Sequence, residues 1–244
     1  MLLLLAVFGA GLIAGFLNVM AGGGSMITLP LLIFLGLPVA AANGTNRVAI
    51  LVQNIAAVGS FRRQGYSDVR NGLVYGAATI PGALVGAFVA VNVGEGTFRA
   101  ILAGVLAVAV IGLLFPKKRK EVSGAPPSGA KTLAFIGFLG IGFYGGFIQA
   151  GVGFLLMVVL HQLLRIDLVR TNMHKVLIVL LFSLPALAVF VWTGNVVWGT
   201  AAALAAGNAL GAIVATRVSV KGGERPIKVV LGIALLMMSV RLVW

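Results

Sequence analysis

Ala21-Gly22-Gly23-Gly24-Ser25 interrupts two apolar runs, residues 1–20 and 26–39. The second run is about half of the ~20 residues that a helix needs to cross a bilayer. Three successive glycines let the backbone leave the helix and turn. The run that follows then begins with amides exposed at the positive end of a helix dipole, where an anion is favoured. The arrangement recurs as Gln149-Ala150-Gly151-Val152-Gly153, followed by another short run to Leu164. Close packing of helices by small residues is the simpler account of any one glycine. Two interrupted segments at corresponding places in two halves instead point to a transporter's binding site.

The chain has 244 residues, 60% of them hydrophobic and 9% charged, too little charge to clothe a soluble surface. Several uncharged stretches, such as 72–91, 100–115 and 196–216, are long enough to span a bilayer. The sequence therefore predicts an all-α polytopic membrane protein. A net charge of +13 would suggest nucleic acid in a soluble protein. Here the basic residues crowd into the gaps between apolar runs and report orientation, so no nucleic-acid partner is expected. The absence of cysteine excludes disulfides, thiolate metal sites and cysteine nucleophiles. The first apolar run lacks a basic n-region and a convincing cleavage site, and its pattern recurs inside the chain, so it is expected to be a mature helix.

That recurrence is an internal duplication. Gly11, Gly15, Phe16 and Asn18 lie 131 positions before Gly142, Gly146, Phe147 and Gln149. Beyond the glycine turn the offset becomes 129 and holds: Gly22 meets Gly151, Gly24 meets Gly153, Asn43 meets Asn172, Gly65 meets Gly194, and Gly94-Glu95 meets Gly223-Glu224. Each half reads as an interrupted or re-entrant hairpin, 1–39 or 131–164, plus three longer helices, over about 43–61, 72–91 and 97–115 and their counterparts 129 residues on. The predicted organisation is a first repeat over 1–115, a basic Pro/Gly-rich linker over 116–130 and a second repeat over 131–244.

Basic residues decide the relative orientation of the halves. If each hairpin returns to the side it entered, 15 of the 18 basic residues share one side, leaving Arg47, Arg99 and Arg241 opposite. If each hairpin crosses once, the division is nine against nine. The positive-inside rule selects the first case, which makes the halves inverted-topology repeats and puts both termini outside the cytoplasm.

Inverted halves with broken helices imply alternating access around a central site. The candidate lining is Asn18, the turn Gly22-Gly23-Gly24-Ser25, Thr28 and Asn43-Gly44-Thr45-Asn46-Arg47 from the first half. The second half offers Gln149, Gly151, Gly153 and Thr171-Asn172-Met173-His174-Lys175. These residues supply amides, hydroxyls and cations but no carboxylate, and all five acidic residues fall in or beside predicted loops. An oxyanion is the better guest than a cation, although sodium sites built from carbonyls alone stay open. Arg47 and Lys175 either bind the guest or snorkel to headgroups. Asn43 and Asn172 suit helix N-caps, a role compatible with binding. His161 and His174 read more simply as structural than as titrating groups. No metal-ligand cluster, catalytic triad or phosphate loop stands out, so neither an enzyme nor a cofactor is expected.

At these residues the chain resembles the sulfite exporter family TauE/SafE, also called toluenesulfonate uptake permeases. The resemblance rests on Gly22-Gly23-Gly24 with Pro30, on Ala42-Asn43-Gly44-Thr45-Asn46 opening the next helix, on the basic linker and on the degenerate second copy. The second copy departs from the pattern: Gly151-Val152-Gly153 replaces a triple glycine, and Val159 stands where Pro30 has its counterpart. The resemblance implies a prokaryotic inner-membrane secondary transporter of sulfite, organosulfonates or related sulfur oxyanions. A coupling proton or sodium ion and a homo-oligomer stay open. The alternatives are an anion channel or uniporter and a non-transporting membrane scaffold.

Overall fold

The computed structural model describes residues 2–66, 68–114, 125–223, 225–227 and 229–230. Most of the predicted linker and most of the counterpart of the 97–115 helix lie outside the described residues. Within them the regular structure is helical: α1 (Leu2–Met20), α2 (Ser25–Phe34), α3 (Val39–Arg63), α4 (Val69–Asn92), α5 (Glu95–Leu114), α6 (Ala130–Phe147), α7 (Val152–Met157), α8 (Leu168–Trp192) and α9 (Trp198–Gly222). A π-helical turn, Val158–Leu163, continues α7. Five of these helices are long and apolar enough to cross a membrane, and in lipid a helix is the structure that satisfies its own backbone. The chain is an all-α, multi-pass membrane protein.

Packing interlocks the two halves of the sequence. α1 packs chiefly on α9, and α6 packs chiefly on α4. Glycines permit the second contact. A Cβ added at Gly82 would lie 2.6 Å from the Phe143 amide nitrogen, and one at Gly86 would lie 2.8 Å from that of Phe147. Gly142 and Gly146 return the approach towards Thr79 and Ala83. Four residues along α4 thus match four along α6, and the two helices run parallel with touching backbones. α1 and α9 meet in the same way, Gly207 at Phe8 and Leu12, and Gly211 at Leu12 and Phe16. α3 and α8 cross between these pairs in the opposite sense. Gly44, near the start of α3, lies against Phe190 near the end of α8 and Asn195 in the α8–α9 turn, and the Val197 amide donates to Thr45 Oγ1 at 2.9 Å.

Helix starts differ from the capping expectation. α3 begins at Val39 after Pro38, whose fixed φ suits a helix entry. Asn43 is therefore inside the helix, where its Nδ2 donates to the Phe147 carbonyl at 2.8 Å. α8 begins at Leu168, with Asp167 Oδ1 accepting from the Arg170 amide at 2.9 Å. Asp167, not Asn172, is the N-cap. Both asparagines are freed for tertiary contacts that their spacing alone does not reveal.

Candidate functional site

The first break is built by its glycines and closed by Asn18. Gly22 takes φ +88, a left-handed conformation that a side chain would strain. The Ser25 amide then donates to Asn18 Oδ1 at 3.3 Å, and the Met26 and Ile27 amides donate to the Gly23 and Gly24 carbonyls at 3.0 and 2.9 Å. These three amides at the start of α2 are thus consumed within the turn. Polar side chains lie beside them. Asn18 Nδ2 donates to Gln53 Oε1 at 3.0 Å. Because a backbone N–H can only donate, Ser25 fixes the orientation of the Asn18 amide, and Asn18 in turn fixes that of Gln53, leaving the Gln53 NH2 as the free end.

The second break carries Gln149 at φ 59. This is a left-handed conformation without glycine, of the kind held in place only by surrounding structure. Its Nε2 donates to Ser183 Oγ at 3.0 Å, and its Oε1 is buried without a partner among the described residues. The two breaks touch. A Cβ on Gly22 would lie 2.8 Å from the Phe154 amide and still nearer the Gly153 backbone, so the turns meet backbone to backbone. Space remains beside this contact, lined by Asn18, Ser25 and Gln53 on one side and by Gln149, Val152 and Lys175 on the other. It has room for about one or two water molecules.

Lys175 supplies the charge at this cavity. It is 2% exposed, and its Nζ donates to the Val19 carbonyl at 2.7 Å and to Asn172 Oδ1 at 2.8 Å. An ammonium has three N–H groups, so one stays available. Val19 belongs to the last turn of α1, where unpaired carbonyls and the negative dipole end favour a cation. Arg47 does the same for the other half. It is fully buried, donates from Nη2 to the Gly146 carbonyl in the last turn of α6, and lies 4.7 Å over the Phe190 ring. Its Nε and Nη1 have no partner among the described residues. Neither cation takes part in the ion pairs Arg99–Glu95, Arg170–Asp167 and His174–Asp68. Two cations thus sit inside the protein without a carboxylate, a costly arrangement that an anion relieves.

Of the residues singled out from sequence, Asn18, Gly22, Ser25, Gln149, Gly153 and Lys175 line this central cavity. Asn172 supports Lys175 from behind. Gly23 faces the Phe154 ring, Gly24 faces Asn18 and Gly151 faces Met26, all within the packing of the breaks. Asn43, Thr45, Asn46 and Arg47 gather apart from the cavity, around the end of α6 and the α8–α9 turn, with Thr28 Oγ1 donating to Asn46 Oδ1 at 2.7 Å. His174 points away from its neighbour Lys175, with Nε2 3.6 Å from Asp68 Oδ2. His161 Nδ1 meets the Ile166 carbonyl at 2.7 Å, a local contact. Gln53 and Asn54 line the cavity and were not singled out. Their signal is the spacing: Ile50, Gln53 and Asn54 follow Arg47 at three, six and seven residues, on or near one helix face.

A profile of the family described as sulfite exporter TauE/SafE matches residues 7–242. Among curated proteins, the chain is 30% identical to the "Probable membrane transporter protein ORF9" of a Sinorhizobium species, over 98% of this chain and 92% of that one. It is 27% identical to the "Probable membrane transporter protein YfcA" of Escherichia coli K12, over 100% of this chain and 90% of that one. A "Probable membrane transporter protein" of Haemophilus influenzae is 26% identical, over 99% and 95%. No solved structure matches the chain.

Proposed function

We propose, from the premise that the chain belongs to the sulfite exporter TauE/SafE family, that this membrane protein is a secondary transporter of small sulfur-containing anions working by alternating access. The observation that carries this is Lys175, a buried ammonium with an unspent N–H at a cavity lined by amides and without a carboxylate among the described residues. The guest's oxygens take that N–H and the Gln53 amide, and the guest lies beside the contact between Gly22 and Gly153. A cavity with room for about one or two waters admits an oxyanion only when the breaks separate, which supports a cycle in which the halves rock about the site. Corresponding helices α3 and α8 run in opposite directions. That crossing supports inverted repeats over 1–115 and 131–244 joined by a cytoplasmic linker, with both termini outside the cytoplasm of a prokaryotic inner membrane.

Uptake into proteoliposomes tests this, with sulfite, thiosulfate, sulfoacetate, taurine and sulfate offered in parallel, with and without imposed proton and sodium gradients. The expected result is saturable flux of a sulfur anion driven by one gradient. Flux that follows voltage without saturating establishes a channel instead. Silence across the panel from folded protein removes the sulfur-anion assignment.

A further inference from the structure

A second polar site lies between the C-terminal halves of α3 and α9, at the end of the molecule where the arginines gather. Arg63 from α3 and Arg217 and Lys221 from α9 line a groove of roughly 570 Å³. Gln64, whose Nε2 donates to the Ser60 carbonyl at 3.1 Å, and the Ser60 hydroxyl, 2.5 Å from Thr216 Oγ1, join them. Further from the helix ends the groove is apolar, formed by Ile55, Ala56 and Ile213, and Ile55 is 56% exposed. None of the three cations has an acidic partner among the described residues. Arg217 and Lys221 stand four residues apart on one helix, a spacing at which like charges repel.

Comparison with the equivalent helix pair shows that the fold itself does not require these cations. The 129-residue offset carries the α3–α9 contact onto the contact between α8 and α4. There Trp192, Phe88 and Asn92 occupy the places of Arg63, Arg217 and Lys221, while Leu184 and Leu84 occupy those of Ile55 and Ile213. The apolar positions are kept in both pairs of helices, and the charge is present in one. At 25 residues, α9 is about 37 Å long against a hydrocarbon core of about 30 Å, which puts its last turn, with Lys221, at headgroup depth, and α3 packs along it.

We propose that the α3–α9 groove is a binding site for an anionic phospholipid, its headgroup phosphate held by Arg63, Arg217 and Lys221 and an acyl chain lying on Ile55 and Ile213. Basic pockets between transmembrane helices recognise anionic headgroups in this way, and each cation near the surface adds to the attraction. The groove is separate from the central cavity, so the assignment stands whatever the transporter carries.

Native mass spectrometry of the full chain, delipidated in detergent and titrated with phosphatidylglycerol or phosphatidylcholine, tests the site. The expected result is retention of phosphatidylglycerol over phosphatidylcholine, lowered by about tenfold or more in the double variant Arg63→Gln/Arg217→Gln. Arg62→Gln, an exposed neighbour that does not line the groove, controls for general surface charge and is expected to leave retention unchanged. Circular dichroism confirms that each variant is folded. Equal loss in Arg62→Gln, or no loss in the double variant, overturns the site in favour of diffuse attraction. Displacement of the lipid by millimolar inorganic phosphate overturns the lipid assignment and makes the groove a soluble-anion site.

Discussion

Lys175 spends two N–H groups on Val19 and Asn172 and keeps the third for the cavity. Lys175→Met removes the charge while keeping much of the bulk. It leaves the Val19 carbonyl and Asn172 Oδ1 unsatisfied, at about 1–3 kcal/mol for each buried group. The expected outcome is loss of saturable anion flux from a protein that still folds, with a lower melting temperature, checked by proteoliposome uptake beside thermal unfolding. Undiminished flux would show that the guest does not use this cation. At the glycine turn the ranking follows from what surrounds each residue. Gly22 combines a left-handed φ with the Gly153 backbone, which cannot yield, whereas a Cβ on Gly23 meets the Phe154 ring at 2.7 Å, and a ring can shift. Gly22→Ala is expected to destabilise by about 2–4 kcal/mol and Gly23→Ala by about 1 kcal/mol or less. Thermal melts of the two variants side by side check the order.

Between elements, one strong constraint is the approach of α4 to α6. Gly86→Leu forces a side chain against the Phe143 carbonyl and the Phe147 amide. The expected outcome is a protein that does not assemble, seen as loss of a monodisperse peak in detergent size-exclusion chromatography. Gly104 on α5 has nothing within 4 Å of an added Cβ, so Gly104→Leu is expected to behave as the parent does. Gly86 stands in a Gly-xxx-Gly pair and Gly104 does not, which makes this contrast visible in the sequence once α4 is known to pair with α6. That pairing was not visible. Hydrophobic periodicity says which residues a helix buries, and it does not name the helix that covers them.

Across the whole molecule, the two ends of the α3–α8 crossing are built from corresponding residues with different chemistry. Thr45 and Val197, which share a hydrogen bond at one end, correspond at the 129-residue offset to His174 and Asp68, 3.6 Å apart at the other. If the halves rock about the central cavity, joining one end covalently arrests the cycle. The double variant Thr45→Cys/Val197→Cys, made in a chain that has no cysteine of its own, is expected to lose flux on oxidation and regain it on reduction. Uptake before and after reductant reads this directly. Flux that persists in the fully crosslinked protein would argue against opening at that end.

The sequence by itself determined the class and the parts. Low charge and long apolar runs demand helices in lipid, because a backbone there must satisfy its own hydrogen bonds. The glycine breaks, with Asn18 and Gln149 at corresponding places beside them, mark where those helices fail. Tertiary structure alone decided which of the polar residues face one another. Asn43 and Arg47 lie ten and six residues before Gln53 in α3, yet they serve the end of α6 while Gln53 joins Asn18 at the cavity. His174 and Lys175 are adjacent in sequence and point to different places, one to Asp68 and the other to the α1 terminus. Successive residues of a helix project about 100° apart, so direction depends on where the neighbouring helices stand. That placement is set by backbone contact at the glycines of α4, α6, α1 and α9, between segments far apart in the chain.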